Sequence, residues 1–505
     1  MTRPLRALLA TVLLATASPA AEVDLEEALA KVVGQSHWYG IYVQGEKSGY
    51  ALTQTVADTA AGREAVTFHL KMRLKLVTLG QKQDVRVFQH RTYFRTGELH
   101  EVSSRFKTQL TEAVATGVVR GDKMVLTSRI GGLTNTEELP KPQESLRDFL
   151  AADRLVRPDA KIGDQVTVSE FDPMMLKELQ AVLTLKDRKT ITFNGVPTRV
   201  FVINTRMPAL RVSTDMYVDE RGVPLELTIE GMFTLRLEPE EKAKDVAYSS
   251  DVIRMGCVEL DPHPPHVSAL EQLRLRVRGI DDEGLLLDDG RQEWAKEADG
   301  SYVVVARSVG PEPQAAVRRP VEDEEFAPYL RPTPFIQCQD ERMKAQATRI
   351  AGQEADAWAA AKAINRWVHQ NLEKVGTAAL SNAVETLKAR KGDCTEHTVL
   401  FVALARAAGV PAREVAGVSA IDGGDGLYYH AWPEVWVGRW VAMDPTLGQD
   451  VADATHIKFA VGGAEQIYRI VALFGRLEAQ VLTYEPERPP HPDEPERPDQ
   501  RKPGD

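Results

Sequence analysis

Residues 66–76, Val-Thr-Phe-His-Leu-Lys-Met-Arg-Leu-Lys-Leu, put an apolar side chain at every second position. That period matches a β-strand with one buried and one solvated face, and no amphipathic helix can carry it. Similar alternation occurs over 84–94, 123–129 and 165–171. Asn194-Gly195 joins two such runs, a strong signal for a tight hairpin, and Asp219-Glu220-Arg221-Gly222 joins two more. A segment built this way must fold as antiparallel sheet. Residues 36–240 are therefore read as one long sheet with a single apolar face, curled into a half-barrel or sandwich, with a short helical interruption around 145–152. The apolar face serves the domain's own core on the simplest reading; an apolar ligand or a partner surface is the alternative.

The chain changes character after this sheet. Asp261-Pro262-His263-Pro264-Pro265-His266 reads as a linker. Its two histidines have no Cys or carboxylate spacing to complete a metal site. A smaller β-rich unit follows, with strands expected at 273–277, 285–287 and 302–306, and then an irregular Pro- and acid-rich stretch over 311–334. From residue 340 the period becomes helical. Trp358, Ala361, Ile364, Trp367, Val368 and Leu372 recur at helix spacing, and 381–390 reads as a second short helix. The last residues, 485–505, carry Pro-Pro and Pro-Glu-Arg-Pro and are expected to be a disordered tail.

Residues 1–21 read as an export signal. Arg3 and Arg6 precede the short apolar run 7–15, and Ser18-Pro19-Ala20-Ala21 offers small residues for cleavage. The run is shorter than the roughly 20 residues needed to span a bilayer. A periplasmic or secreted protein with no transmembrane segment in the mature chain is expected. The net charge of −11 opposes a nucleic-acid partner. Three cysteines, Cys257, Cys338 and Cys394, are too few for a disulfide-built scaffold. Either the first two pair and leave Cys394 free, or all three are unpaired. No phosphate loop, dinucleotide fingerprint, zinc-protease motif or calcium loop is legible, and neither cofactor nor metal is expected.

Cys394 opens a helix. Asp393 is a good N-cap and Glu396 completes a capping box. Val399, Leu400, Ala403, Leu404 and Ala407 form an apolar stripe, and Gly409 followed by Pro411 stops the helix near Ala408. A thiol in a first helical turn faces unpaired N–H groups, which favour the thiolate and can hold an oxyanion. Downstream, Tyr429 to Asp444 reads as a hairpin at Gly438-Arg439. Pairing the apolar sets Ala431, Pro433, Val435, Val437 and Val441, Met443 on one side puts His430 and Asp444 on the other. A two-residue turn breaks that match by one position, and a one-residue slip flips every side chain. The expectation is therefore a three-residue loop or a bulge at Gly438, bringing Asp444 within diagonal reach of His430. His430 can then take the thiol proton and Asp444 can orient the imidazole. His397 reads as structural, and Trp440 as either groove lining or core.

Gly392-Asp393-Cys394-Thr395-Glu396-His397, Ala405 to Arg413, His430 to Trp436, Trp440 and Met443-Asp444-Pro445-Thr446 together resemble the bacterial transglutaminase-like superfamily, and Asp453 to Ile457 resembles its continuation. The resemblance covers about 340–475. It implies a papain-like fold with a Cys-His-Asp triad carried onto Cys394, His430 and Asp444. Pro433 departs from the usual apolar residue. The expected architecture is α+β: an antiparallel β-rich domain over 22–260, a small β-rich unit with linker over 266–335, and the transglutaminase-like domain over 336–484. The expected function is an exported thiol enzyme that acts on amide bonds of a protein or peptide, in the cell envelope, by hydrolysis as peptidase or amidase. A protein-crosslinking transglutaminase, or a non-catalytic assembly protein using the N-terminal sheet, are the alternatives.

Overall fold

The computed structural model describes residues 24–486 apart from 110, 131–132, 210–211, 230–232, 313–316, 377–381 and 464–469. The leader expected at 1–21 lies outside the described residues, as does the tail from residue 487 onward. Glu485 and Pro486, assigned to the tail from sequence, instead end a strand, Glu478–Pro486, and pair with the strand Leu270–Arg278.

Alternation over the first half of the chain produces one antiparallel sheet of fourteen strands. Its strands run in reverse chain order from Leu133–Pro140 to Ser36–Val43. There the sheet passes to Phe233–Leu237 and runs back to Gln165–Asp172 at the far edge. Every neighbour except that central pair is a sequential hairpin, so register is set locally. At Asn194-Gly195 both residues have positive φ, 49° and 80°, and Phe193 pairs with Val196. That is the backbone a right-twisted two-residue hairpin requires. In the strand Arg63–Thr78, Phe68, Leu70, Met72, Leu74 and Leu76 are buried, while Lys71, Arg73 and Lys75 face outward. The helix Leu25–Val32 and the short helix Leu146–Leu150 cover the apolar face, with the Phe149 ring 3.6 Å from that of Phe68. The face thus serves the domain's own core, with a cavity of about 410 Å³ left between Tyr39, Phe68 and Phe149.

A second sheet joins the small β unit to the C-terminal half. Its order is Gln292–Lys296, Tyr302–Arg307, Leu270–Arg278, Glu478–Pro486, Val258–Asp261, Gly426–Trp436, Ala412–Ala420 and Ile457–Val461. Trp440–Ala442 pairs with Gly426–Trp436 beside this path. The strand expected at 285–287 is absent. Asp282 accepts the Gly284 N–H and winds Glu283–Leu285 into a single 3-10 turn instead. Gln292–Lys296 takes the edge position, and its Gln-Glu-Trp-Ala-Lys sequence carries no alternation that would announce it.

Against this sheet stand the helices Glu341–Ala351, Ala357–Asn371, Ala383–Ala389 and Cys394–Ala407. The last is buried on all sides, not on one stripe: residues 399–405 are each 0 % exposed. It packs between its neighbouring helices and Val435, Val437, Val441 and Met443. The short strand Lys391–Gly392 leads into it and pairs in parallel with Glu373–Lys374. The first sheet abuts that same place, because Gln83 Nε2 donates to the Gly376 carbonyl at 2.7 Å. A Cβ at Gly376 would lie 1.9 Å from the Thr78 carbonyl oxygen, so only glycine fits the contact.

The small unit is fastened to the loop 453–458. The Arg291 guanidinium, 6 % exposed, donates to the backbone carbonyls of Asp453 and His456. Gln292 exchanges two 2.8 Å hydrogen bonds with the Lys458 backbone. The Lys458 ammonium, also buried, bridges Glu434 at 2.7 Å and Asp289. Arg291→Met would remove the guanidinium donor from the His456 carbonyl, at about 1–3 kcal/mol, and leave the Asp453 carbonyl only the long 3.4 Å bond from the His456 N–H. Chemical denaturation should register a lowered unfolding midpoint, and an unchanged midpoint would show that water replaces the guanidinium freely.

Candidate active site

The strand Gly426–Trp436, the turns after it and one helix start converge where the second sheet meets the Cys394 helix. The capping box forms as the sequence implies: Thr395 N–H donates to Asp393 Oδ1 at 2.8 Å, and Asp393 N–H donates to Glu396 Oε2 at 3.0 Å. Both carboxylates thereby satisfy orphan donors of the first turn and fix where the helix begins. Cys394 sits in that turn, partly exposed.

His430 lies mid-strand opposite Gly417, whose missing side chain leaves room for the crossing of Trp432 and the Ile457 carbonyl. The hairpin that follows pairs Trp436 with Trp440, Val435 with Val441 and Glu434 with Ala442. Its loop is therefore three residues, 437–439, with Gly438 at φ 92°. The apolar sets stay in register and Asp444, one residue beyond the pairing of Met443 N–H with the Pro433 carbonyl, comes beside His430. His430 Nε2 and Asp444 Oδ2 are 2.7 Å apart, and the Cys394 thiol lies near enough to the same imidazole to favour its charged form. Cys394, His430 and Asp444, named from sequence, are thus brought together in space.

Asp444 is 0 % exposed. Its Oδ1 accepts the N–H groups of Thr446 at 2.7 Å and Leu447 at 2.9 Å. Oδ2 accepts from His430 and, at 3.0 Å, from His456 Nε2. Burial alone would push this carboxyl up, but His430 and then His456 outweigh it and hold it well below the ordinary carboxylate range. For His430 burial opposes the charged form, yet Asp444 first and Cys394 second push its pKa up to about 10. Such a group holds a proton readily beside a thiol, the arrangement for shuttling that proton during attack on a carbonyl.

Behind Asp444 the hydrogen bonds continue. His456 Nδ1 is 3.1 Å from Asp453 Oδ1, and both residues are buried. Asp453 also accepts from Thr455 N–H and Gln449 Nε2, at 2.8 and 2.7 Å. Trp432 closes the site with its ring stacked 6.0 Å from His430 and edge-on at 5.1 Å to His456. Sequence reasoning placed Asp453 and His456 in a motif but gave them no role. The only signal available was that a loop so close to Asp444 holds a His and an Asp three apart.

The remaining sequence expectations fall into place around this centre. His397 is buried, its Nδ1 donates to the Asp393 carbonyl at 2.8 Å, and burial pushes its pKa down, so it is a neutral structural residue. Trp440 does not border His430; it packs with Phe326, Tyr329 and Trp436 under the Arg413 guanidinium. Cys257, Cys338 and Cys394 are all unpaired, so the Cys257–Cys338 alternative is excluded. His430, Asp444 and His456 bring potential ligand atoms within 4.8 Å of one another, but hydrogen bonds among them already occupy these atoms. Both imidazole Nε2 atoms already point along hydrogen bonds to one carboxylate oxygen, which is the geometry of shared protons.

Comparison with known proteins agrees in part. An uncharacterised protein of Haemophilus influenzae is 36 % identical over 95 residues, 18 % of this chain and 26 % of its own. An uncharacterised protein of Mycobacterium leprae is 27 % identical over 149 residues, 27 % of this chain and 51 % of its own. The chain thus spans from a quarter to half of the length of these relatives. A solved structure described as a "Putative Cysteine Protease from Cytophaga hutchinsonii" aligns over 43 % of this chain and 91 % of its own, with 19 % identity and a TM-score of 0.31. Residues 344–445, which contain Cys394, His430 and Asp444, match the model of the transglutaminase-like superfamily, and over that segment the chain is a transglutaminase-like domain.

Proposed function

We propose that the protein is a thiol acyl-transfer enzyme acting on amide bonds of a peptide or protein, with water as the acceptor. Cys394 is the nucleophile, His430 shuttles its proton, and Asp444 holds His430 in the required tautomer. The observation that carries this reading is the convergence of the helix-start Cys394 thiol on His430, whose charged form it favours, and the 2.7 Å bond from His430 to a fully buried Asp444. Attack by the thiolate sulfur on the amide carbonyl forms the C–S bond. His430 then protonates the leaving amine, and water releases the acid from the thioester. The Cys394 backbone N–H, at a helix start, is positioned to hold the oxyanion. Export to the cell envelope, suggested by residues 1–21, accords with an envelope peptide as substrate.

Iodoacetamide at neutral pH should modify Cys394 well before Cys257 and Cys338, whose thiols burial pushes up. Peptide mapping by mass spectrometry reads this directly, and equal labelling of all three would defeat the activated-thiol claim. Cys394→Ala should abolish turnover of peptide amides. Asp444→Asn should lower kcat by about 10³–10⁴-fold, since the neutral amide no longer selects the tautomer. Adding a primary amine should leave product hydrolysed; stable amine adducts would instead indicate transfer to amines.

The same contacts set a pH window for stability. The folded pKa of His430, about 10, lies above its unfolded value of about 6.5. Its pairing therefore contributes in full below about pH 6.5 and is lost as pH rises through about 10. Asp444 is depressed, so its contribution is present above about pH 4 and is lost only as pH falls through its low folded value. The stability difference between the native protein and Asp444→Asn should be largest between about pH 4 and 6.5 and shrink toward pH 10. Denaturation midpoints across that range test it; a difference growing with pH contradicts the assignment.

A further inference from the structure

His456 is a buried titratable group that the acyl-transfer scheme leaves unused. It is 0 % exposed, and both of its ring nitrogens meet carboxylates: Nε2 meets Asp444 Oδ2 at 3.0 Å and Nδ1 meets Asp453 Oδ1 at 3.1 Å. An ionised carboxylate only accepts, so each contact requires a proton on the ring, and both together require an imidazolium. The two carboxylates are built to stay ionised. Asp444 receives two backbone N–H groups besides the two imidazoles, and Asp453 receives Thr455 N–H, Thr455 Oγ1 and Gln449 Nε2. The Ser419 hydroxyl, 3.4 Å from either ring nitrogen, completes the enclosure.

The charged groups around the ring are arranged to hold it in place. Arg291 reaches in from the small β unit to the carbonyls of Asp453 and His456, anchoring the backbone that carries the imidazole. Two residues on, Lys458 is already neutralised by Glu434 and Asp289. On the other side His430 sits with its ring centroid 5.7 Å away, bound to the very oxygen that His456 uses. Signs therefore alternate along the run: His430 cation, Asp444 anion, His456 cation, Asp453 anion.

We propose that His456 is a positioning residue that works as a fixed imidazolium behind Asp444, dividing that carboxylate's charge between two cations so that His430 can release its proton to the leaving amine. The inference rests on the acyl-transfer reading above. An Asp444 carboxylate facing His430 alone would grip the imidazolium too firmly for it to act as a general acid, whose best pKa lies near the working pH. The second cation on the same oxygen takes back part of that grip while keeping the orientation.

The test has two arms. The first follows alkylation of Cys394 by bromoacetate, an anion whose rate falls as the His430 imidazolium deprotonates. In His456→Gln, which retains a donor to Asp444 but carries no charge, the descending limb should move up by about one pH unit, a tenfold weaker acid. A limb that stays or moves down would mean that His456 only supports the loop. The second arm needs no variant: nitrogen NMR of the imidazoles in the full-length native protein should find both His456 nitrogens protonated at pH 8, and a neutral His456 ring at that pH overturns the proposal. Should native Cys394 alkylate no faster than in denatured protein, the acyl-transfer reading fails, and the NMR result still decides the charge of His456.

Discussion

A carboxylate with no access to water governs this site. Burying an ionised group is costly unless every lone pair finds a donor. Asp444 meets that demand with four: two backbone N–H groups from the turn that follows it and two imidazole nitrogens. Each donor dictates local structure. The turn after Asp444 must close tightly enough to aim the Thr446 and Leu447 N–H groups at one oxygen. The three-residue loop at 437–439 must bring the strand ends into the register that sets Asp444 beside His430. The loop 453–458 must turn His456 inward, and it does so because Arg291 draws its carbonyls toward the small β unit. Loss of any donor leaves a buried charge partly bare, so the site holds together as a unit.

Cys394 is held by a different device. Its helix is enclosed by apolar contacts over residues 399–405, which makes it a rigid support, while Asp393 and Glu396 settle the first turn. A thiol there keeps partial exposure because it lies at the helix end, at the lip of the packed layer. The strand leading into it is paired with Glu373–Lys374, and the next residues of that segment rest on the end of a hairpin from the fourteen-stranded sheet. The large N-terminal sheet is thereby in contact with the segment that pairs with the approach to Cys394.

Much of this was legible in the chain because it depends on short-range rules. Period-two alternation fixed which face of the strand 63–78 is buried, and Asn194-Gly195 fixed a register. The loop at Gly438 followed from a conflict: a two-residue turn would have sent Val441 and Met443 to the wrong face. The capping box followed from a spacing of three. What escaped was set by distant partners. His456 has no periodicity to mark it, and its burial comes from Arg291, 165 residues earlier, and from Asp444 across a turn. The edge strand 292–296 forms because its neighbour Tyr302–Arg307 presents an open row of donors and acceptors, a property of the partner. Residues 485–486 look like tail by composition and are ordered by pairing with 270–272.

The same distinction separates the segment that matches the transglutaminase-like model from the structure that makes it work. Residues 344–445 include Cys394, His430 and Asp444, yet Asp444 is completed by His456, and His456 by Asp453, both outside that span. The loop carrying them is held by Arg291 and Gln292, from a unit lying before the domain in sequence, and that unit's sheet is in turn completed by the strand 478–486 from the C-terminal side. Chain order and spatial order are interleaved here because a buried carboxylate needs donors from several directions, and one continuous stretch of backbone turning around a single point cannot supply them all without leaving its own polar groups unpaired. The small β unit, unremarkable by sequence, is therefore part of the site's framework: it lends no side chain to the Cys394–His430–Asp444 cluster, and through Arg291 it fixes the backbone that carries His456.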